Sequence, residues 1–462
     1  MPDSIIELER NLRSDIIRIE TELQRMGETK ISVDQTRIQK LRESLFSLNS
    51  MREELLARTE VLYPSYFALK YASNTPTVSA IQKHLDERSG IIEYAVGEHE
   101  LFIFLISHSR FELKVTPIAR DLRLTISSLG EAVRKVDEEK FVRASALLYD
   151  YLVRPIRLSL QPLDRLIVIP DGILYSIPFE TLVESIPIET QNTRNFSTLN
   201  YLVKRYDFTY SYSAAFYLNR ALSGQTMSSK QMAFGGFAPV FRDTENEGGI
   251  SSPLQQTSAG EKSRAIVVGR KRFEELRFSK PEVDSIAEEF RRRGFHAENY
   301  VYEAASEDNF KNNAMRFSTI HIATHGFIDE EEPSISMLLF ARPSDSTARE
   351  DGLLYAGETY NLKLNADLIT LSCCECGKGR LIRGEGTMAM TRGFFYSGAR
   401  NVLYSLWKVY DKQASEFMIE FYRRALTGEK YASALRQAKL KMISKRSTAF
   451  PINWGGFVLV GE

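Results

Sequence analysis

The spacing of apolar residues changes twice along the chain, and each change marks a new kind of structure. Apolar residues recur every three or four positions from Ile5 to Met26, and again from Ile38 to Leu62. This spacing predicts two long amphipathic helices, and Gly27 lies between them. We therefore expect residues 1–72 to form a helical hairpin that packs on the next part of the chain.

Residues 73–230 change to short apolar runs bounded by turn residues, a pattern that is typical of strands. A helical stretch near residues 121–160 separates the first three runs from the last two. His84, His99 and His108 lie in this region without a thiol near them in sequence, and we interpret them as structural. The predicted strands are Ile91–Val96, Leu101–Ser107, Phe111–Thr116, Leu166–Pro170 and Phe208–Tyr212.

Residues 231–462 carry a third pattern, in which helices and buried strands alternate. Residues 238–276 are rich in polar residues and predict a long loop, and residues 377–386 predict a second one. The alternation predicts an α/β fold with a mostly parallel sheet flanked by helices, and we expect Met337–Ala341 to pair beside the strand that precedes it. The predicted helices are Pro281–Arg293, Asp308–Met315, Thr387–Ser397, Gln413–Leu426 and Ala432–Ile443, and the predicted strands are Tyr300–Tyr302, Ser318–Ala323, Met337–Ala341, Ala366–Ser372, Asn401–Trp407 and Phe457–Val460.

Composition narrows the class of protein. The 462 residues carry a formal net charge of zero, which implies no broad attraction to nucleic acid or to a membrane surface. No apolar run reaches the roughly 18 residues of a membrane span. The three cysteines all lie between residues 373 and 376, too close together for a disulfide framework. That favours a reducing, cytoplasmic setting.

Two strand ends carry the candidate chemistry. Ser318–Ala323 leads to His325, and Leu368–Ser372 leads to Cys374, which follows His325 by 49 residues. In an open α/β sheet, ligands bind beyond the carboxyl ends of the strands, so two neighbouring parallel strands would deliver an imidazole and a thiol to one crevice. A histidine about 50 residues before the nucleophile is also the order found in caspases.

A thiol and an imidazole at one crevice are suited to nucleophilic catalysis. A free thiol has a pKa of roughly 8.5, and the thiolate is the nucleophile, so His325 is the expected base. Gly326 allows the backbone to approach a substrate closely. The N–H groups of Gly326 and Cys374 are the expected donors to an oxyanion.

The segments His321–Gly326 and Leu371–Gly379 resemble those of the CHAT proteases, bacterial cysteine peptidases related to separase and the caspases. Further matching segments are Pro170–Gly172, Ile177–Glu180, Phe278–Val283, Gly352–Leu354, Gly384–Gly386, Ser405–Val409 and Trp454–Leu459. The resemblance runs from about residue 75 to the end of the chain. The residue before the nucleophile is usually a small alanine in this family and is Cys373 here. The register of the motif nevertheless points to Cys374.

The resemblance implies more about organisation and function. Residues 73–230 would be the non-catalytic α/β part, and residues 231–462 the caspase-like catalytic domain. Relatives often carry helical repeats upstream, so the hairpin is a candidate site for an activating protein or an upstream sensor. The implied activity is a cysteine endopeptidase that cleaves a specific protein partner and needs no cofactor or metal. Relatives act in bacterial defence, where some cleave a gasdermin and some work beside a CRISPR effector.

The resemblance also implies a preference at the substrate residue before the cleaved bond, the P1 residue. Ser372 would line the P1 pocket and is small and neutral. Asp411 matches a separase aspartate that receives a P1 arginine, and Trp407 would form an apolar wall. We therefore expect P1 to be Arg or Lys. The competing interpretation is that Asp411 caps a helix that begins near Gln413.

Two other interpretations stay open at the level of sequence. The chain could be a catalytically silent caspase-like scaffold that keeps the fold for binding a partner. It could also hold zinc on Cys373, Cys374 and Cys376, but structural zinc sites use spaced pairs of cysteines. The sequence does not identify the substrate, the trigger or the oligomeric state, nor whether the loop at 238–276 is processed.

Overall fold

A computed structural model gives the fold of the chain. A long helix covers Gln35–Leu62, and the described residues between 8 and 26 are also helical. The structure describes residues 8, 11–12, 15–16, 18–19, 22–23, 26, 35–62, 75–118, 122–184, 195–222, 232–239, 265–268, 271–274, 276–327, 336–341, 350–373, 380–382, 386–388 and 390–462.

The described elements alternate between helix and strand along most of the chain. The strands are β1 Ser89–Val96, β2 Glu100–Ser107, β3 Phe111–Pro117, β4 Arg165–Ile169, β5 Asp207–Tyr210, β6 Ala233–Ala238, β7 Ala265–Val268, β8 Lys271–Glu274, β9 His296–Val301, β10 Thr319–Ala323, β11 Gly326–Phe327, β12 Met337–Leu339, β13 Leu353–Tyr355, β14 Leu368–Ser372, β15 Arg380–Ile382, β16 Gly386–Met388, β17 Asn401–Ser405 and β18 Phe457–Val460. The helices are α1 Gln35–Leu62, α2 Val78–Gln82, α3 Leu122–Lys135, α4 Glu138–Leu152, α5 Arg157–Leu160, α6 Ala214–Leu222, α7 Ser279–Arg292, α8 Glu307–Asn313, α9 Ala356–Thr359, α10 Met390–Tyr396, α11 Asp411–Ala425 and α12 Tyr431–Ser444.

One large sheet runs through both α/β regions of the chain. Its eleven strands lie in the order β3-β2-β1-β4-β5-β18-β17-β14-β10-β6-β9. The pairs β1–β2, β2–β3 and β17–β18 are antiparallel, and the other pairs in this sheet are parallel. The register pair Val460 and Tyr210 joins the two regions, which therefore share one sheet. The predicted α/β class with a mostly parallel sheet flanked by helices is confirmed.

The central strands have continuous apolar sequences because they are buried on both faces of the sheet. All five residues of β10 are buried, and so are four of the five in β14, because helices cover both faces of a parallel sheet. Helix α7 packs against β6 and β10, and α11 packs against α7 and α12. Among the described helices, none is long and apolar enough to span a lipid bilayer.

The structure corrects several predicted elements. Strand β6 was not predicted, because Gly235 and Gly236 interrupt the apolar run that is typical of a buried strand. A Cβ on Gly235 would lie 2.3 Å from the ring of Phe317, and a Cβ on Gly236 would lie 2.4 Å from Val283. The two glycines therefore let neighbouring side chains pack directly onto the strand.

Three further corrections concern loops and pairing. The predicted loop at 238–276 contains the antiparallel pair β7–β8, although its residues 240–264 lie outside the described part of the chain. Strand β12 does not pair with β10 but lies in a separate three-stranded sheet, β11-β12-β13. Strand β16 occupies the start of the helix predicted at Thr387, and the helix begins at Met390 instead.

Candidate active site

The strand that leads to His325 lies directly beside the strand that leads to the cysteines. Strands β10 and β14 are parallel neighbours, and their last register pair joins Ala323 to Ser372. Beyond that pair, the Thr324 N–H donates a hydrogen bond to the Ser372 carbonyl at 3.3 Å. The two strands therefore end at the same level of the sheet. Cys374, two residues after Ser372, lies outside the described residues.

His325 is fixed by the small sheet that follows it. Its side chain is buried, and its carbonyl accepts a hydrogen bond from the Leu339 N–H at 2.9 Å. The hydroxyl of Thr324 donates to the carbonyl of the same Leu339. Gly326 then pairs with Leu338. Strand β12 thus holds the backbone on both sides of the histidine, which orients the residue at the end of β10.

Cys373 is the described member of the cysteine cluster. It is buried at the end of β14 and takes part in a disulfide. Cys376, like Cys374, lies outside the described residues. Chemistry that depends on a thiol in this segment must therefore be assayed with a reducing agent.

A cleft opens at the carboxyl ends of β10, β14 and β17. Its empty volume, including the part open to solvent, is about 410 Å³. Two of its lining residues carry carboxylates, and among the described lining residues none is basic. The lining residues are Leu276, Ser279, Glu282, Ala323, Thr324, Ser372, Cys373, Ser405, Val409, Asp411, Ala414 and Phe457.

Glu282 is a buried acid of this cleft to which the sequence analysis assigned no role. It is 2% exposed, and its Oε1 lies 2.7 Å from Nε2 of His321. The other ring nitrogen of His321 lies 3.3 Å from the hydroxyl of Tyr422, which donates to Thr370 at 2.6 Å. His321 therefore belongs to a buried network under the cleft. The segment containing Glu282 was one of those that resemble the CHAT proteases, and that was its only signal.

Asp411 is the second carboxylate of the cleft. It is the first residue of α11, and Tyr410 occupies the N-cap position of that helix. Its Oδ2 instead accepts a hydrogen bond from the Phe278 N–H at 2.8 Å, at the start of α7. Asp411 therefore caps the start of α7 and not, as the competing interpretation predicted, a helix that begins near Gln413. Burial raises the pKa of Asp411 above its ordinary value, and Glu282 adds to that effect.

The two remaining predicted substrate-binding residues lie in different surroundings. Ser372 lines the cleft. Trp407 is buried, and its indole nitrogen lies 2.9 Å from the position of a Cβ on Gly456. It is not among the described residues that line the cleft, because its ring is used in packing under that glycine. Val409 and Phe457 supply apolar lining instead.

A second acidic cluster lies away from the cleft, where Glu307, Glu350 and Glu358 place carboxylate oxygens within 4.8 Å of one another. Such a set could hold a metal ion. The ammonium of Lys311 already lies 2.8, 2.6 and 2.9 Å from these three side chains, respectively. The cluster therefore contains its own cation.

A short segment of the chain is similar in sequence to two known proteins. Tetratricopeptide repeat protein 28 of Mus musculus is 34% identical over 119 residues, which is 26% of this chain and 5% of that protein. Its Homo sapiens counterpart is 33% identical over the same length. The chain thus spans only a small part of these relatives.

Two solved structures resemble the fold. The Arg-specific cysteine proteinase gingipain R matches with a TM-score of 0.42 and 10% identity over 69% of this chain and 67% of its own. Separase, from the Saccharomyces cerevisiae separase–securin complex, matches with a TM-score of 0.38 and 10% identity, over 97% of this chain and 27% of its own.

The match of greatest weight is to a domain family. The sequence profile of the CHAT domain matches residues 142–462, a span that contains β10, β14 and the cleft described above. Because this match covers more than half of the chain, the protein belongs to the CHAT domain family.

Proposed function

We propose that this protein is a cysteine endopeptidase in which Cys374 is the nucleophile and His325 is the base. The observation that supports it most is the parallel pairing of β10 with β14, whose last register pair is Ala323 and Ser372. Paired strands lie about 4.8 Å apart. Beyond this pair, His325 follows Ala323 by two residues, and Cys374 follows Ser372 by two residues.

The reaction follows from these two groups. His325 takes the thiol proton of Cys374, and the thiolate attacks the carbonyl carbon of the cleaved peptide bond. The imidazolium then gives its proton to the leaving amine, and a thioester remains on the sulfur. Water, activated by the same imidazole, hydrolyses the thioester and releases the acid product.

The N–H groups of Gly326 and Cys374 are the proposed donors to the oxyanion. The Leu339 N–H bonds to the carbonyl of His325. In an antiparallel ladder the backbone groups alternate in direction, so the N–H of Gly326 is turned away from β12. This alternation supports a role for the Gly326 N–H outside its own sheet.

The charge of the cleft supports a basic P1 residue. Glu282 and Asp411 line it together with the small neutral Ser372, and no described lining residue is basic. Burial, and to a smaller extent Glu282, raises the pKa of Asp411, and a guanidinium or ammonium group beside it would favour its ionised form. A carboxylate also pairs bidentately with arginine, which gives selectivity for Arg over Lys.

The substrate is proposed to be a specific protein partner. The N-terminal helices are the proposed site for an activating protein, and Phe46 and Met51 of α1 expose apolar side chains there. A place in bacterial defence or another regulated-proteolysis pathway, through a gasdermin or beside a CRISPR effector, is an extension of the family resemblance. Cleavage takes place in the cytoplasm on this proposal.

The test is covalent labelling by a peptidyl ketone probe that reacts with active thiolates, in a reducing buffer. We expect a probe with Arg at P1 to add one mass equivalent to the wild-type chain. Cys374→Ala and His325→Ala should each abolish labelling and cleavage, because each removes one half of the acid–base pair. Intact-mass spectrometry and a fluorogenic Arg substrate give the two readouts.

Matched controls come from the same segment. Cys373→Ala and Cys376→Ala should keep most of the labelling, since neither thiol acts in the proposed reaction. Loss of labelling in Cys373→Ala with retention in Cys374→Ala would move the nucleophile by one position. A wild-type chain that never reacts, with or without a partner protein, would instead identify a silent scaffold.

A further inference from the structure

One edge of the large sheet carries an apolar strip. Strand β3 is the terminal strand on the side remote from β10, and its alternate residues Phe111, Leu113 and Val115 are 49%, 44% and 47% exposed. The opposite edge strand, β9, is half-buried over five of its six residues. Large exposed side chains on one face of an edge strand mark a site of strand pairing.

The backbone groups of the same three residues point outward from the sheet. Ser107 and Arg110 exchange two hydrogen bonds, Ser107 N–H to Arg110 carbonyl at 2.9 Å and the reverse at 3.3 Å. In an antiparallel ladder every second pair repeats this arrangement, so Glu112 and Lys114 direct their N–H and carbonyl groups to β2. Phe111, Leu113 and Val115 therefore direct theirs to the outer edge, which no described strand covers.

Glu112 and Lys114 give the other face of β3 a charge pattern that pairs with itself. The two side chains form an ion pair at 2.9 Å within the chain. When a second β3 pairs antiparallel with the first, outward-facing residues must lie opposite one another. Centring the pair between Phe111 and Leu113 places Glu112 opposite Glu112, and centring it between Leu113 and Val115 places Lys114 opposite Lys114.

Centring the pair on Leu113 avoids both repulsions. Glu112 of each strand then lies opposite Lys114 of the other, which is favourable for directly opposed side chains. On the second face Leu113 meets Leu113, and Phe111 meets Val115. This register satisfies about six backbone hydrogen bonds along the edge and continues the sheet across a two-fold axis.

We propose that two copies of this chain associate through β3 in this register, joining their sheets edge to edge. The half-buried Phe102 and Phe104 of β2 lie opposite Val115 and Leu113 on the same face and extend the apolar contact. The strand contact is short, so the dimer is weak and depends on concentration. The proposal is independent of the proteolytic function.

The test uses the charge register, with sedimentation equilibrium over a range of protein concentrations. Wild type should show a reversible monomer–dimer equilibrium. Lys114→Glu should weaken the dimer at least tenfold, because both facing positions become acidic. Glu112→Lys should do the same, because both become basic. A mixture of the two single variants should form the heterodimer with an affinity close to that of wild type.

Two controls separate this pairing from other causes. Leu124→Glu changes an exposed apolar residue of α3 that is not on β3, and should leave the dimer unchanged. Circular dichroism confirms that each variant is folded. A wild-type chain that stays monomeric at high concentration would overturn the proposal. A dimer that is unaffected by Lys114→Glu, or single variants that fail to recover each other in the mixture, would also overturn it.

Discussion

Two acidic regions of this protein differ in whether they contain a cation of their own. Glu307, Glu350 and Glu358 surround the ammonium of Lys311 at hydrogen-bonding distances. The cleft beside β10 and β14 contains Glu282 and Asp411, and its described lining includes no basic residue. In the first region the ammonium offsets the negative charge of the acidic side chains. The same ion pairs hold α8 to the segment before β13. The second region is suited to a cation that arrives with a ligand.

One acidic side chain in each region accepts a hydrogen bond from a backbone N–H. Glu307 Oε2 accepts the Gly352 N–H at 3.0 Å, and Asp411 Oδ2 accepts the Phe278 N–H at 2.8 Å. Backbone donors therefore stabilise one oxygen in both regions. In the first region the ammonium of Lys311 also contacts all three side chains directly, whereas Lys408 acts on Asp411 without lining the cleft.

The largest expected effect is on stability, from Lys311→Met. Removing the ammonium leaves the carboxyl groups of Glu307, Glu350 and Glu358 facing one another in a partly buried site without a cation between them. Breaking a buried ion pair by removing one partner typically costs about 3–5 kcal/mol, and we expect a loss of about 3 kcal/mol in the free energy of unfolding. Acidification should restore part of the loss, because protonated carboxyls do not repel. Urea unfolding at two pH values measures both effects.

The matched control is Lys135→Met. Lys135 forms an exposed i,i+4 pair with Glu131 at 2.7 Å on α3. Exposed pairs of this kind contribute little to stability, because water and salt screen them, so the Lys135→Met protein should be nearly as stable as wild type. A Lys311→Met protein as stable as the Lys135→Met protein would mean that the cluster does not depend on its cation.

The next effect concerns the cleft and follows from Asp411→Asn. The amide oxygen still accepts the Phe278 N–H, so the start of α7 stays capped, but the negative charge is lost. Losing one partner of a desolvated charge pair typically costs 2–5 kcal/mol, so kcat/KM for a P1 Arg substrate should fall by about 30-fold or more. Cleavage after an uncharged P1 residue should fall much less.

The pH profile of the same substrate provides an internal check. Since burial raises the pKa of Asp411, its charge is lost on acidification at a higher pH than for an ordinary aspartate. Cleavage after Arg should therefore decline on the acid side before cleavage after an uncharged residue. Efficient cleavage after Asp, or equal Arg cleavage by wild type and Asp411→Asn, would contradict the assignment of this cleft to a basic P1 residue.

The two strands that end beside His325 and the cysteines were predictable because their physical basis is local. Thr319–Ala323 and Leu368–Ser372 are buried apolar runs of strand length, and each ends one or two residues before a polar or reactive side chain. A parallel sheet then brings their carboxyl ends to one edge. Five predicted strands of the first α/β region are likewise observed within a few residues of their predicted bounds.

The parts that were missed depend on contacts between distant residues. Strand β6 contains two glycines that only the packing of Phe317 and Val283 explains. Glu282 joins the cleft because α7 packs on β10, 39 residues away in sequence from its partner His321. Neither of these contacts produces a periodic pattern of apolar residues in the sequence. Asp411 could be placed near the cleft by resemblance, but its bond to Phe278 could not be predicted.

The smallest expected effect is that Glu307→Gln changes how steeply the free energy of unfolding depends on pH. Burial, followed by repulsion from Glu358, raises the pKa of Glu307 from 4.5 to about 8. Between these values the folded protein holds a proton that the unfolded chain has released, so stability falls as pH rises through this window. One such proton gives a slope of at most about 1.4 kcal/mol per pH unit. Glu307→Gln should flatten the curve between about pH 5 and about pH 8, whereas Glu131→Gln on the exposed pair should not. Identical slopes in wild type and Glu307→Gln, measured by urea unfolding, would mean that Lys311 keeps all three carboxylates of the cluster ionised.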